Sequence, residues 1–413
     1  MPHVAIIGSG PAGCYLADHL LRLLPDASID ILERLPVPFG LIRYGVAPDH
    51  QNTKAVARVL DRVLARDRIS FLGNLEVGRD VRLDELRSLY DVVVLATGAS
   101  RDRRLGIPGE ELPGVMGSGA FTGWYNGYPD CGAPLVSGVR AVVVIGNGNV
   151  AIDVARVLAK SSAELAGSDL SPEATSWLTT QPIQEIHIVG RRRAADAKFT
   201  EHELAELGTL QQARPIIADS AGLVGDGAVV ETLRRFAGDE RGAPISINFH
   251  FNLTPQVFEG DGRLRAAQFR RADGATDEIP AQLAVTCVGY EARACCAAQP
   301  ANGVFSNEAG KIGERLYVVG WAKRGPSGTI PTNRSEAQQL AQRIVQEISC
   351  GNGTGGTGLR QLLAQRNVTW VDYSAWHRID AAELARASQG RCRAKFSTVA
   401  EMLEAAQVGV HVK

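Results

Sequence analysis

Three glycines and one carboxylate near the start of the chain have the spacing of a nucleotide-binding turn. In VAIIGSGPAGCYLADHL, Gly8, Gly10 and Gly13 form the pattern G-x-G-x-x-G between an apolar run and a helical pattern. Such glycines permit a tight turn, let a pyrophosphate approach the backbone and let the helix pack on the strand. Glu33 ends the next apolar run, about 20 residues further on, where an acid accepts hydrogen bonds from a ribose. This combination predicts a dinucleotide site rather than a chance glycine turn.

A second copy of this motif lies in AVVVIGNGNVAIDVARVLA. Gly146 and Gly148 hold its first two positions, and Ala151 takes the third, which is an allowed variant. Asn149 could also cap the helix that follows. The chain therefore carries two candidate dinucleotide sites.

The next strand-like run after the second motif ends in arginines rather than in an acid. In IHIVGRRRAAD, Arg191 and Arg192 stand where an NAD site would have its carboxylate. A pair of guanidinium groups can hold a 2′-phosphate through bidentate, charge-assisted hydrogen bonds. This pattern predicts selection of NADP(H), whereas Arg193 is a solvated neighbour and a simple solvated loop is the alternative. The acid-ended and arginine-ended motifs together indicate FAD in the first site and NADP(H) in the second.

Composition limits the other classes of function. The 413 residues carry a net charge of −1, which favours neither a nucleic-acid partner nor an anionic membrane surface. The seven cysteines lack a C-x-x-C pattern, which argues against a disulfide framework, a zinc site or a dithiol centre, and Cys295–Cys296 is interpreted as incidental. No metal site is predicted. No apolar run is long enough for a membrane helix, so a cytoplasmic location is expected, with an organelle presequence removed earlier as the alternative.

The order of the apolar runs predicts an α/β fold. Runs typical of buried strands, such as VAIIG, DVVVLATG, AVVVIG and LYVVG, alternate with helical patterns, which is typical of parallel sheets. Residues 161–184 are interpreted as a helical insertion, and GNGTGGTG, residues 351–358, as a flexible linker. Helical stretches follow this segment, at 381–388 and 399–406.

Five longer stretches carry a resemblance to a known family. They are VPFGLIRYGVAPDH, VVLATGA, GNGNVAIDVAR, VGRRR with KFT, and VGWAKRGPSGTIPTNRSEA, and they occur in register. The chain resembles, over essentially its whole length, the ferredoxin–NADP reductases of the adrenodoxin reductase type, within the glutathione-reductase-like flavoproteins. The resemblance implies two Rossmann-like dinucleotide-binding domains, with the NADP domain inserted into a discontinuous FAD domain. The implied boundaries are 1–101 for the first FAD part, 102–285 for the NADP domain, and 286–413 for the second FAD part and C-terminal segment.

The resemblance also implies the residues of the two sites. The positions matching FAD contacts, beyond the glycines, are Ala12, Glu33, Leu41, Val77, Trp321, Gly328, Thr329 and Ile330. The positions matching NADP contacts are Asn147, Gly148, Asn149, Val150, Arg191, Arg192 and Glu203. GTI is expected to open a helix whose N–H groups stabilise negative charge on a reduced flavin. An ordinary core aromatic is the alternative for Trp321.

Two further matches are catalytic candidates. His50 and Asp153 match a histidine and an aspartate near the flavin in the family, so they are candidates for a proton or polar relay. The alternatives are a satisfied loop histidine and an ordinary helix acid. Lys198, in KFT, has no explanation from the sequence beyond an added positive charge.

The implied activity is hydride transfer from NADPH to FAD, followed by single-electron transfer to an iron–sulfur ferredoxin that serves a cytochrome P450 or another acceptor. The expected partner docks on a basic patch, but Ala205 stands where the family often has a basic residue. Arg234, Arg235 and Arg241 could supply part of that patch, with a solvated face as the alternative. A monomer is expected at the level of the family.

Three other functions remain as alternatives at this stage. A flavin monooxygenase would consume oxygen with an organic substrate, and a non-catalytic NADPH-binding sensor or bifurcating subunit would not turn over alone. A disulfide reductase needs a cysteine pair beside the flavin, and Cys14 stands alone in the first motif, which argues strongly against this alternative.

Overall fold

The described chain forms two compact units. The structure is a computed structural model that describes residues 1–129, 131–133, 136–217, 223–295, 299–349, 351 and 353–407. Unit 1 comprises Met1–Val46, His50–Arg101 and Tyr290–Lys413, and unit 2 comprises Ala47–Asp49 and Asp102–Gly289. The chain thus leaves the first unit, builds the second, and returns to complete the first.

Strands and helices alternate along most of the chain. The strands are β1 (His3–Ile7), β2 (Ser28–Leu32), β3 (Ile69–Leu72), β4 (Val92–Leu95), β5 (Arg101–Asp102), β6 (Val115–Gly117), β7 (Ala141–Ile145), β8 (Glu185–Val189), β9 (Ala213–Ile217), β10 (Ile245–His250), β11 (Thr254–Gly260), β12 (Leu264–Arg270), β13 (Thr276–Pro280), β14 (Leu283–Thr286), β15 (Tyr290–Glu291), β16 (Lys311–Gly313) and β17 (Leu316–Val318). The helices are α1 (Pro11–Leu23), α2 (Leu41–Tyr44), α3 (Gln51–Lys54), α4 (Ala57–Leu64), α5 (Leu83–Leu89), α6 (Ser118–Tyr125), α7 (Asn149–Ala159), α8 (Pro172–Thr180), α9 (Glu201–Glu206), α10 (Ala228–Ala237), α11 (Trp321–Arg324), α12 (Ile330–Glu347), α13 (Gly355–Gln365), α14 (Tyr373–Ala385) and α15 (Val399–Ala406).

Unit 1 is built on a six-stranded sheet in the order β16-β17-β4-β1-β2-β3. All neighbours are parallel except the antiparallel pair β16 and β17. β4 is fully buried, as expected for a strand that helices cover on both faces. β17 pairs with β4 in the register Leu316 to Val93 and Val318 to Leu95, so residues from the end of the chain complete the sheet begun at its start.

Unit 2 contains a parallel six-stranded sheet in the order β6-β14-β7-β8-β10-β9. A three-stranded antiparallel sheet, β11-β12-β13, packs on it. Phe258 and Phe269 of this smaller sheet share a buried cluster with Val143 and Ala284 of the large one. The opposite face of the parallel sheet is covered by the main core of the unit, which includes Ile186 and Phe249.

The predicted α/β class with two Rossmann-like folds is confirmed. Residues 172–180 supply the helix expected within the insertion at 161–184, and α14 and α15 contain or overlap the helical stretches predicted near the end of the chain. The linker prediction for residues 351–358 is wrong in its second half, because residues 355–358 form the first turn of α13. Gly356 and Gly358 are buried there, and a Cβ at Gly356 would meet the Asp30 carboxylate. These glycines serve close packing rather than flexibility.

Candidate functional site

The turn between β1 and α1 has the shape that a pyrophosphate requires. Gly8 has φ of +113°, and a Cβ there would overlap the carbonyl of Ala96. A Cβ at Gly13 would overlap the carbonyl of Gly8, whereas the space beside Gly10 is open to 4 Å. α1 begins immediately after Gly10, and no side chain caps its N-terminus. Open space beside uncapped helical N–H groups fits a phosphate group.

Glu33 lies directly after β2 and is fixed by the same turn. Its carboxylate accepts hydrogen bonds from the Ser9 N–H at 3.1 Å, the Ser9 Oγ at 2.7 Å and the Leu35 N–H at 3.2 Å. A carboxylate offers about four acceptor positions, so three bonds orient the group and leave room for a ribose hydroxyl. Ser9 is fully buried and was missed from the sequence, where it occupies a variable position of the glycine motif.

Two other predicted FAD residues approach this turn. The segment carrying Leu41 passes close by, because the Phe39 N–H donates to the Ser9 carbonyl at 3.2 Å and a Cβ at Gly40 would lie 3.5 Å from the Gly10 Cα. Leu41 keeps 42% of its surface exposed, which leaves its side chain available to a ligand. Ala12 is buried, and a Cβ added at Gly320 would lie 2.7 Å from the Cβ of Ala12.

The remaining FAD candidates occupy other parts of unit 1. Val77 is half-buried, packs on the core and forms a bridge with Val81. Trp321 opens α11, donates from its indole Nε1 to the Ser327 carbonyl at 3.0 Å, and stacks on Tyr290 with ring centroids 6.0 Å apart. Gly328 has φ of +80°, the Thr329 N–H donates to Thr332 Oγ1 at 3.0 Å, and Ile330 begins α12, as expected for GTI. α12 in turn packs on α1, the helix of the glycine turn.

His50 directly precedes α3 and is half-buried. Its backbone carbonyl accepts the Lys54 N–H at 3.0 Å, which fixes the backbone of the histidine at the start of this short helix. A relay role for His50 stays a prediction.

The turn between β7 and α7 in unit 2 repeats the arrangement of the first. A Cβ at Gly146 would overlap the Cys287 carbonyl, Gly148 faces open space, and α7 begins at Asn149 without a side-chain cap. The proposed capping role of Asn149 is therefore wrong. Its Oδ1 instead accepts the Thr200 N–H at 2.8 Å, because the segment after β8 folds back over this turn.

KFT, residues 198–200, supplies that segment. The N–H groups of Lys198 and Phe199 donate to the Asn147 carbonyl at 2.6 and 3.1 Å. The backbone of KFT thus clamps the second glycine turn, while the Lys198 side chain is exposed. Asn147 Nδ2 and Oδ1 are shielded from solvent without a hydrogen-bond partner. Buried amide atoms of this kind are costly unless something pairs with them, which fits a ligand at this turn.

The arginines lie at the carboxyl edge of the sheet, beside the same turn. β8 is the parallel neighbour of β7, with Val189 opposite Ile145, and the Gly146 N–H donates to the Val189 carbonyl at 2.9 Å. Arg191 and Arg192 are exposed, and neither forms an ion pair within the described ranges. Arg193 differs, because its Nε lies 3.0 Å from Asp196 Oδ2. The first two guanidinium groups are therefore available for an anionic ligand.

Asp153 belongs to a buried network of charges in unit 2. Its Oδ1 accepts a hydrogen bond from Arg156 Nη2 at 2.7 Å, and Arg156 also pairs with Asp49 and with Glu206. Arg156 is 1% exposed. Burial alone would raise the pKa of Asp49, but Arg156 and Lys160 outweigh it and lower this pKa to about 2. Asp153 is thus held as the partner of a buried cation.

Glu203 and Val150 complete the predicted NADP set. Glu203 lies in the first turn of α9, where its N–H contacts Thr200 Oγ1 at 3.4 Å. Val150 is half-buried in the first turn of α7 and packs on the core of the unit. KFT therefore connects α9 to the second glycine turn. The Thr200 side chain caps α9, and the Thr200 N–H donates to Asn149 beside that turn.

These features define the class: an α/β oxidoreductase fold with a dinucleotide-type turn in each unit. A family profile described as pyridine nucleotide-disulphide oxidoreductase matches residues 2–319. Cindoxin reductase of Citrobacter braakii is 38% identical over 425 residues, covering 99% of this chain and 92% of the relative. The human mitochondrial NADPH:adrenodoxin oxidoreductase is 37% identical, covering 97% and 91%. A solved structure of Mycobacterium tuberculosis FprA in complex with NADPH superposes with a TM-score of 0.94 at 34% identity, covering 99% of this chain and 100% of that one.

The chain belongs to the pyridine nucleotide-disulphide oxidoreductases and, within them, to the ferredoxin–NADP reductases of the adrenodoxin reductase type, as the sequence predicted.

The family name includes disulphide chemistry, but Cys14 is unsuited to it. Its Sγ lies 3.2 Å from the Ser9 carbonyl, and burial, with a contribution from Glu33, raises the pKa of the thiol far above its usual value. A reactive cysteine requires the opposite shift.

Proposed function

We propose that the chain is an NADPH-dependent ferredoxin reductase, with FAD bound in unit 1 and NADP(H) in unit 2. When bound, these groups supply hydride transfer from the nicotinamide to the flavin and single electrons to an iron–sulfur ferredoxin. The observation that carries the proposal is the contrast between the two turns. One lies beside an oriented carboxylate, Glu33, and the other beside two exposed guanidinium groups, Arg191 and Arg192, that form no ion pair within the described ranges.

The residues of unit 1 would bind and orient the flavin nucleotide. Gly8, Gly10, Ala12 and Gly13 would receive the pyrophosphate at the start of α1, and Glu33 the ribose. The other FAD residues would be Leu41, Val77, Trp321, Gly328, Thr329 and Ile330. The start of α12 would place the positive end of a helix near the flavin, where it stabilises added negative charge.

The residues of unit 2 would select and hold the nicotinamide nucleotide. The α7 N-terminus, with Gly148, Asn149 and Val150, would receive its pyrophosphate, and Arg191 and Arg192 its 2′-phosphate. Asn147 and Glu203 would complete the site. The assignment of 102–285 to NADP, and of 1–101 and 286–413 to FAD, rests on these two sets of residues. His50 and Asp153 are proposed as candidates for a proton or polar relay, as the resemblance implies, rather than as nucleophiles.

The physiological partner is proposed to be a ferredoxin that passes electrons to a cytochrome P450 or another acceptor. Three arginines considered for its docking are already engaged in unit 2. Arg234 donates to the carbonyls of Leu223 and Gly225, Arg235 pairs with Glu201 at 3.3 Å, and Arg241 pairs with Asp239 at 2.8 Å. Carboxylates offset the charges of Arg235 and Arg241, whereas Arg234 is bonded to uncharged carbonyls, so a docking patch here would be weakly basic.

A monomeric, cytoplasmic protein is proposed for the assembly and the location. Among the described residues, no helix combines the length and the apolar character needed to cross a membrane. Gel filtration and light scattering of the purified chain would test the monomer, and fractionation of the source cells would test the location.

The decisive experiment follows NADPH-dependent reduction of cytochrome c by the purified chain, with and without an added ferredoxin. A flavin absorbance spectrum together with a rate that rises and saturates with ferredoxin is expected. A flavin spectrum with rapid oxygen consumption that depends on an organic substrate would instead identify a monooxygenase. Absence of turnover with artificial acceptors would identify a non-catalytic subunit.

A further inference from the structure

Two histidines of unit 2 lie in direct contact on neighbouring strands. His187 is in β8 and His250 is in β10, which run parallel and side by side. His187 Nδ1 and His250 Nε2 are 3.0 Å apart, and the ring centroids are separated by 5.2 Å with 34° between the planes. Both residues are half-buried. Their neighbours Ile186, Ile188 and Phe249 point to the main core, so the imidazoles face the other side of the sheet.

A carboxylate orients one of the two rings. Glu185 Oε2 lies 3.2 Å from His187 Nε2, on the edge of the ring away from His250. This contact favours the tautomer with the proton on Nε2, which leaves the lone pair of Nδ1 directed towards His250. His250 Nε2 then donates its proton to His187 Nδ1. In the other neutral tautomer of His250, with the proton on Nδ1, the lone pairs of His187 Nδ1 and His250 Nε2 both face this place.

The spacing of the two nitrogens is close to that of a metal chelate. Imidazole nitrogens bind Zn²⁺ at about 2.0–2.1 Å, so two of them in a tetrahedral site lie about 3.3 Å apart. The observed separation of 3.0 Å needs to widen by only a few tenths of an ångström. A carboxylate–histidine–metal arrangement is also how proteins commonly orient such ligands.

We propose that His187 and His250 form a binding site for a divalent transition-metal cation of the Zn²⁺ or Cu²⁺ type, with Glu185 as the positioning residue. Binding forms two metal–nitrogen bonds, the proton of His250 moves through solvent from Nε2 to Nδ1 so that both imidazoles bind as neutral rings, and water completes the coordination. Imidazole ligands favour these cations over Mg²⁺ and Ca²⁺, which prefer oxygen.

The other charges around the pair are compatible with this assignment. Asp277 in β13 is the further acid that acts on His250, and it is already bonded to Arg271 at 2.7 Å. Because Arg271 offsets its charge, Asp277 is not required as a ligand.

The site can be tested without reference to enzymatic activity. The full chain, prepared without an affinity tag and stripped of metal by chelation, is titrated with Zn²⁺ by calorimetry and with Cu²⁺ by electron paramagnetic resonance. One equivalent should bind, and the Cu²⁺ spectrum should show coupling to two imidazole nitrogens. Excess Mg²⁺ should not compete. Because the readout is the metal alone, failure here would leave the proposed reductase function untouched.

Three variants and a control decide whether this pair is the site. His187→Gln and His250→Gln should each weaken binding at least tenfold, since a single imidazole forms no chelate. Glu185→Ala keeps both ligands and should weaken binding about 10–100-fold, the usual effect of removing an orienting partner. Glu185 is 56% exposed, so this variant tests the site without disturbing the sheet.

His377 is a half-exposed histidine of unit 1, and the control variant His377→Gln should bind the metal as the wild type does. Wild-type affinity in the His187→Gln/His250→Gln double variant, or a spectrum without two nitrogens, would overturn the proposal.

Discussion

The side chain of Asn147 lies directly over Gly190, the residue at which β8 turns into the arginine pair. A Cβ added at Gly190 would overlap the side-chain amide of Asn147. The two residues come from different turns of unit 2, one from the glycine motif and one from the end of the neighbouring strand. The absence of a side chain at Gly190 is therefore what allows Asn147 to keep its place.

Gly190→Ala should weaken NADPH use while leaving the flavin in place. The new methyl group must displace the Asn147 amide, and overpacking of this kind costs about 1–3 kcal/mol. A loss of about tenfold in kcat/KM for NADPH is expected, since 1.4 kcal/mol corresponds to about tenfold. Steady-state kinetics with a saturating acceptor measure this loss. Gly242→Ala, in open space within the same unit, is the matched control and should change nothing.

Replacing both Arg191 and Arg192 with Ala should change the preference between NADPH and NADH. Each charged hydrogen bond to a phosphate contributes about 1.5–3 kcal/mol, so the pair should account for a factor of about 100 or more in kcat/KM for NADPH. The value for NADH should hardly move, because that nucleotide has no 2′-phosphate. Flavin content should equal that of the wild type.

Arg193→Ala serves as the control for the arginine pair, since this residue already pairs with Asp196. An unchanged ratio of NADPH to NADH kcat/KM in the double variant would show that the 2′-phosphate is held elsewhere.

The buried network around Arg156 predicts how the chain responds to acid. Because the folded-state pKa of Asp49 lies at about 2, below the 3.8 of an unperturbed aspartate, its carboxylate is stabilised by folding. This contribution, about 2 kcal/mol, is complete above about pH 4 and is lost as the pH falls through 2. The free energies of unfolding of the wild type and of Asp49→Asn should therefore differ by a constant amount between pH 5 and 7, and this difference should shrink steadily as the pH falls from 4 to 2.

Asp196→Asn provides the comparison for that experiment. The pKa of Asp196 is also lowered, through its bond to Arg193, but its side chain is 39% exposed and its ion pair is screened by water. Its removal should change the free energy of unfolding much less at every pH. A difference between the wild type and Asp49→Asn that is as large at pH 2.5 as at pH 6 would contradict the ion-pair account.

Cys14 should be chemically inert in the folded protein. Its thiol is buried and its pKa is raised far above the usual value, so the thiolate that reacts with alkylating reagents is absent at pH 8. Mass spectrometry after brief alkylation should find modification at the exposed Cys392 and not at Cys14. Cys14→Ala should keep its NADPH-dependent turnover. Loss of turnover with retained flavin would instead favour thiol-based chemistry.

The parts of this fold that were predictable from the sequence are those with a local steric signature. The turns at Gly8 and Gly146 follow from glycine spacing, because each motif brings a helix N-terminus against a strand within a few residues. The strands of both sheets were also predictable, since runs such as residues 92–95 and 141–145 are apolar on both faces. Glu33 followed from its distance to the glycine motif.

Contacts between distant parts of the chain had no such signature. Arg43 and Glu383 lie 340 positions apart, yet they form a buried ion pair at 2.5 Å that ties α14 to α2. His187 and His250 meet because β8 and β10 are neighbours, a strand order that periodicity does not specify. The glycine-rich composition of residues 351–358 also led to a wrong linker prediction at Gly356. The sequence does not distinguish a glycine that makes room for a carboxylate from a glycine in a flexible linker.

The return of the chain to unit 1 through β17 has a consequence for biosynthesis. Every residue of unit 2 has been translated when the ribosome reaches Gly289, whereas β17 and helices α11–α15 are still to come. Until Leu316–Val318 emerge, β4 remains an open edge in an unfinished sheet. The inserted unit should thus mature first on the ribosome, and nascent chains arrested before residue 316 should expose the first unit, rather than the second, to proteases and chaperones.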